Sequence, residues 1–186
     1  MEPKIQTYSG GIVDFECPDR STFTLEDIAH GLSQACRYGN QSKFFYSVAQ
    51  HAVTVSYMCT GKDALAALHH DDTEAFMCDI PTPLKLLLND YMVIEMALHD
   101  SIFDRLGLPR ELSADVKLAD AYALALEKPI MIGDSAIDWK LLDVSHHSWD
   151  DFRAYMKPMS HEDSKRLWLA RHRELCDNLR IKTKFD

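Results

Sequence analysis

The chain has 186 residues, 46% of them apolar and 26% charged, with a formal net charge of −9. That length predicts one domain, 1–186, able to bury a core. The acidic balance excludes a nucleic-acid-coating surface, which needs a basic footprint, and no apolar run reaches the ~18 residues of a membrane span.

The opening Met1-Glu2-Pro3-Lys4 lacks the apolar core of a secretory signal. Cys17, Cys36, Cys59, Cys78 and Cys176 are scattered and form no C-x-x-C. They read as reduced thiols of a cytoplasmic protein, not as a zinc site.

Residues 1–23 predict an extended arm. Ile5, Thr7 and Tyr8 alternate with polar residues, Gly10-Gly11 supplies a turn, and Ile12, Val13 and Phe15 resume. This is a hairpin pattern. A hairpin alone is marginal, so it must pack on the helices or on another subunit.

Thr24 is placed to cap a helix whose first turn holds Glu26 and Asp27, where the dipole favours acids. Ile28, Ala29, Leu32 and Ala35 give its apolar stripe, and Tyr38-Gly39-Asn40 reads as its end. Arg37 would there be a favourable charge at a helix C-terminus or a substrate contact. A second helix is expected over 45–59, with Val48, Ala52, Val55 and Met58 at helical spacing and His51 one residue off that stripe.

A third helix is expected over 62–76. Within it, Ala67-Leu68-His69-His70-Asp71-Asp72-Thr73-Glu74-Ala75 turns abruptly from apolar to ionisable. Adjacent His70 and Asp71 offer a mixed nitrogen and oxygen donor set suited to a divalent transition metal. Glu74 follows Asp71 by three residues, which puts both on one helix face, with Glu74 reaching a water beside the ion. Two further ligands are needed, and His51 and Asp120 are the candidates. His69 and Asp72 point ~100° away from their neighbours and are expected at most to hydrogen-bond a ligand.

Cys78-Asp79-Ile80-Pro81-Thr82-Pro83-Leu84-Lys85 reads as a rigid loop, because two prolines oppose regular helix. It is either a connector or a pocket wall. A long helix over 91–106 should bury Val93, Ile94, Ala97, Leu98, Ile102 and Leu106. Its His99-Asp100 pair has Phe103 where a glutamate would be needed, and reads as solvated or supporting. The next helix, 111–128, is closed by Pro129 and turns Val116, Ala119, Ala123 and Leu126 inward. Asp120 interrupts that face, and an acid buried there is costly unless a metal or a basic partner answers it. Helices are expected at 135–142, 149–155 and, capped by Ser160, 161–179. The basic residues of the last, Arg171 and His172 among them, suggest a solvated or subunit-contacting face. His146-His147 reads as surface loop.

The ordered set His51, His70-Asp71, Asp120 resembles the H…HD…D ligands of the HD-domain phosphohydrolases. Tyr46-Ser47-Val48-Ala49-Gln50-His51, Leu68 to Ala75 and Asp79-Ile80-Pro81-Thr82-Pro83-Leu84-Lys85 are similar to one branch of that family. It holds bacterial 5′-deoxynucleotidases and the phage dATP triphosphohydrolases of the 2-aminoadenine genome pathway. The likeness spans about 24–128, a catalytic core between the arm and C-terminal helices at 129–186.

The resemblance implies an all-α, compact HD-domain helical bundle behind the N-terminal β-hairpin arm. It implies His51, His70, Asp71 and Asp120 as ligands of a divalent transition metal (Zn, Co or Mn, with Mg possible at a second site). Glu74 and Asp79 are implied as catalytic. Arg37, Tyr38, Pro83 and Lys85 are implied around the substrate, with Gln41 and Lys43 as weaker phosphate contacts. The implied reaction is hydrolysis at the α-phosphate of a 5′-deoxynucleotide, first of all dATP to deoxyadenosine and triphosphate. The alternatives are a 5′-deoxynucleotidase acting on monophosphates and a helical ligand-binding protein with an HD-like site. A binuclear cyclic-nucleotide or alarmone site is disfavoured, because extra histidine pairs between His51 and His70 are missing. A homo-oligomer, dimer or hexamer, in the cytoplasm (of the host, if phage-encoded) completes the expectation.

Overall fold

The computed structural model describes residues 2–145 and 150–185. It is an all-α bundle. Among the described residues, strand is confined to one antiparallel hairpin, β1 (Lys4–Gln6) with β2 (Ile12–Asp14), in the register Ile5↔Val13. The arm docks on its own helices. Asp27 accepts from the Ser9 amide and hydroxyl at 2.7 Å each, Tyr8 stacks on His30, and Arg105 donates to the Pro18 and Ser21 carbonyls.

Helix α1 (Leu25–Gln34) starts at a capping box formed by Thr24 and Asp27. It stops earlier than expected. Ala35 is extended, Val48 N–H reaches the Ala35 carbonyl, and Cys36 bridges Ser47 as an isolated antiparallel pair. Arg37 is therefore delivered by extended backbone. Helix α2 (Val48–Tyr57) begins at Ser47, not at 45, because Ser47 and Gln50 make a second capping box. It is buried almost all round, His51 included.

The expected third helix is broken. Helix α3 (Gly61–Leu68) ends at His69, residues 69–73 form tight turns, and the short α4 (Glu74–Met77) follows. The Ala67 carbonyl is taken by His70 Nδ1, and the His69 side chain is held by Asp72 and His172. Those bonds replace the helical ladder. The proline loop is a correction too. Thr82–Lys85 form a short helix, α5, with Pro83 in its first turn, where a missing N–H costs nothing.

Helix α6 (Asn89–Leu106) buries Leu98, Ser101, Ile102, Phe103 and Leu106. Val93, Ile94 and Ala97, expected inside, are exposed because no described element covers the first half of α6 on that side. Helix α7 (Ala114–Met131) is capped by Ser113 and runs through Pro129. Within the last turn one lost hydrogen bond does not end a helix whose Ile132 and Gly133 amides still reach the Lys128 carbonyl. No helix forms over 135–142. Ser135 and Asp138 instead accept from the amides of Ile137 and Lys140, local turns that compete with helix. His146-His147 and Trp149 lie outside the described residues, and α8 (Asp150–Arg153) is a single turn.

Helix α9 (His161–Leu179) packs on α1, α2 and α3. Arg171 and His172 are buried, contrary to the expected solvated face. Arg171 donates to Ser56 Oγ and O and lies over the Tyr57 ring. Trp168, fully buried, donates to the Leu68 carbonyl. Gly31 lets α1 approach α4: a Cβ there would sit 2.3 Å from the Ala75 carbonyl oxygen. Together these contacts clamp the 69–73 turn between α1, α2 and α9.

Candidate metal centre

Three elements bring the proposed ligands to one point. His51 comes from the first turns of α2, His70 and Asp71 from the turn after α3, and Asp120 from α7. Donor atoms of His51, His70 and Asp120 lie within 4.8 Å of one another and form a group that could hold a metal ion. Asp71 sits beside them, its Oδ2 3.2 Å from His70 Nε2 and 3.7 Å from His51 Nε2. Asp120 Oδ1 is 3.0 Å from His51 Nε2 and 3.8 Å from His70 Nε2. His51 is fully buried, whereas the Asp120 side chain is 45% exposed and so marks the open side.

The hydrogen bonds of the two rings decide which nitrogens face the cluster. His70 Nδ1 is 2.7 Å from the Ala67 carbonyl, which can only accept, so Nδ1 carries the proton. His51 Nδ1 is 2.7 Å from Glu127 Oε1. His51 and Arg37 overcome burial to hold the Glu127 carboxyl below its usual range, so it too accepts. Both Nε2 atoms are left buried without a hydrogen bond. In the neutral rings they are lone pairs pointing at carboxylate oxygens, an arrangement that a cation resolves. The donor set, imidazole and carboxylate, fits a divalent metal.

The carboxylates also favour positive charge at this point, whether carried by a proton or by a cation. Burial opposes charge on His70, yet Asp71 and Asp120 overcome it and raise its pKa well above the usual value. His70 and His51 in turn lower Asp71 and Asp120 in spite of their burial.

Glu74, the first residue of α4, is buried beside the cluster. Its Oε2 has no hydrogen bond, and Lys85 Nζ is 3.5 Å from Oε1. Burial, then the charges of Asp71 and Asp79, push its carboxyl pKa well above the usual range. Asp79, half-buried in the loop after α4, thus acts on Glu74. Arg37 also reaches the cluster, with Nη1 3.5 Å from Asp71 Oδ2. Its Cζ lies 5.5 Å from the Tyr38 ring centre.

The remaining expected contacts stand further off. Lys85 is also paired with Glu95 at 2.7 Å, so its ammonium already serves two carboxylates. Pro83 is exposed on α5. Gln41 is exposed and bonds the Gly39 carbonyl, and Lys43 Nζ lies against Gly133 beyond the end of α7. Neither touches the ligand cluster. His99 and Asp100 are also outside it, bonded to the Arg110 carbonyl and guanidinium. His69 and Asp72 face away into a buried chain that continues through His172 to Cys176. Burial, then the His70 charge, push the His69 pKa down to about 3.

Glu127 is the residue that sequence reasoning missed. It is fully buried, and besides His51 it accepts from Tyr46 OH at 2.9 Å and Tyr38 OH at 3.1 Å and is ion-paired with Arg37, whose Nε is 3.3 Å away. One signal pointed to it: it follows Asp120 by seven residues, two helical turns along the same inward face of α7.

No family model matches the sequence. Over 139 residues the chain is 40% identical to the uncharacterized protein YfdR of Escherichia coli (strain K12), covering 75% of this chain and 78% of that protein. Over 141 residues it is 32% identical to the uncharacterized protein RCAP_rcc00048 of Rhodobacter capsulatus, covering 68% of this chain and 72% of that protein. At that identity and coverage, the chain belongs to the family of YfdR and RCAP_rcc00048.

Proposed function

We propose that this is a metal-dependent phosphohydrolase of the HD type, acting at the α-phosphate of 5′-deoxynucleotides and releasing the deoxynucleoside. The observation that carries the reading is the pair of buried, unbonded Nε2 atoms of His51 and His70 facing Asp120 and Asp71, with Glu74 and Arg37 both close to Asp71. His51, His70, Asp71 and Asp120 would hold a divalent ion of the Zn, Co or Mn kind, with Mg possible at a second site. When bound, the ion would ease deprotonation of water and polarise the phosphoryl group.

The chain's own residues do the rest. Glu74 orients the attacking water and takes its proton, a task that a raised carboxyl pKa serves. The water oxygen joins the α-phosphorus as the bond to the 5′-oxygen breaks, and the leaving oxygen takes a proton from the Asp79 side. Arg37 offsets phosphate charge in the transition state, and Tyr38 flanks the sugar or base.

The leading substrate is dATP, giving deoxyadenosine and triphosphate. One observation favours the second reading, a monophosphate substrate. Lys85 is held by two carboxylates, and the Lys43 ammonium lies against Gly133 away from the ligand cluster, which leaves little positive charge placed for two more phosphates. The reading also carries a homo-oligomer. The deciding experiment is a product assay over the four dNMPs and four dNTPs with Mg²⁺, Mn²⁺, Co²⁺ and Zn²⁺. Deoxyadenosine plus triphosphate from dATP alone is the expected result. Deoxynucleosides from monophosphates alone would move the assignment to the second reading. No deoxynucleoside from any substrate would overturn both and leave a ligand-binding protein.

A further inference from the structure

The buried carboxylate of Glu127 meets both halves of the proposed site. Its Oε1 takes His51 Nδ1 at 2.7 Å and Tyr46 OH at 2.9 Å, while Oε2 faces Tyr38 OH at 3.1 Å and Arg37 Nε at 3.3 Å. Neutralising Arg37 needs only one of those contacts. Of the other three, one reaches a ligand imidazole, one the buried Tyr46 hydroxyl and one a residue flanking the substrate. Tyr38 has φ +62°, a left-handed backbone that a side chain rarely adopts unaided, and its hydroxyl bond to Glu127 helps to anchor it.

We propose that Glu127 is the positioning residue of this centre. It fixes the His51 ring with Nδ1–H turned away and Nε2 presented to the metal, and from the same carboxylate it aims Arg37 and Tyr38 at the substrate. The inference rests on the metal-binding reading above. Metal-bound histidines depend on such partners for ring orientation and basicity, and removing the partner costs 10–100-fold in affinity. The amide of a glutamine at this position keeps the volume but offers one acceptor where two are needed. Whichever way it turns, the His51 side or the Arg37–Tyr38 side meets a donor instead.

The test compares Co²⁺ binding to wild type, Glu127→Gln and Tyr46→Phe by titration and by the visible absorption of the bound ion. Tyr46→Phe removes a bond to the same oxygen but leaves His51 Nδ1 its acceptor, so it controls for general loosening. Glu127→Gln is expected to weaken Co²⁺ about 10–100-fold with an altered spectrum, and Tyr46→Phe to stay within about twofold of wild type. Equal Co²⁺ affinity in wild type and Glu127→Gln, or an equal loss in both variants, overturns the proposal. Should Glu127→Gln fail to fold, histidine ¹⁵N spectra of the Zn²⁺-loaded wild type decide instead. A slowly exchanging Nδ1 proton on His51 is expected, and Zn²⁺ on Nδ1 overturns the proposal. Wild-type protein that takes up neither ion overturns the metal reading along with it, whereas metal uptake with either contrary result overturns the role of Glu127 alone.

Discussion

His70 donates its Nδ1 proton to the Ala67 carbonyl, and that bond settles what its other nitrogen can do. The same local chemistry separates the roles of the two acids next to it. Asp71 faces both imidazoles, whereas Glu74 faces none of the ligand nitrogens and is raised by burial and by Asp71 and Asp79. Glu74→Gln should therefore lower kcat about 10²- to 10⁴-fold, the range of a lost general base. Its Co²⁺ affinity should stay within about twofold of wild type. Turnover that survives the substitution would remove Glu74 from its assigned task, and joint loss of metal would make it a ligand. The grouping of His51, His70 and Asp120, with Asp71 beside them, was legible in the sequence because their types and order are specific. Glu127 was not, since a glutamate in an Ala/Leu helix is ordinary until the fold turns it onto His51.

At the scale of elements, local signals gave the starts better than the stops. The Thr24 and Ser160 caps lie where their side chains required. The break after α3 was hidden, because nothing in the local sequence shows that His69 will bond a histidine on α9. The half-exposed α6 was hidden for the same reason: periodicity marks an apolar face but not whether anything covers it. One element-level contact should follow pH. Burial works against the charge of Asp27, yet bonds from Thr24 and Ser9 outweigh it and lower its pKa below the usual 3.8. A carboxyl lowered in the folded state adds stability above its unfolded pKa, and that addition is lost as pH falls through the folded value. Asp27→Asn should therefore loosen the hairpin at neutral pH, and acidification through the lower pKa should do so in wild type. Amide exchange of β1 and β2 checks both. Protection unchanged by the substitution would show that the arm is held by Tyr8 and Arg105 instead.

Across the whole molecule, the apolar surface is unevenly distributed. Leu84, Leu86, Leu87, Val93 and Met96 are all exposed, on α5, the link after it and the first half of α6. Patches of that kind mark association surfaces on proteins in water, and this one supports the homo-oligomer of the proposed function. Leu87→Asp together with Val93→Asp should shift the sedimentation coefficient towards that of a 21.3 kDa monomer. Identical sedimentation of wild type and variant would place the association elsewhere or remove it.

The bond between His69 and His172 joins residues 103 positions apart. At a translation rate of about 5–20 residues per second, that separation is a wait of roughly 5–20 s on the ribosome. During it, the turn bearing His70 and Asp71 has no α9 to close on and Trp168 has not yet reached the Leu68 carbonyl. The turn bearing His70 is thus completed late in synthesis, by a helix that adds no residue to the His51, His70 and Asp120 group.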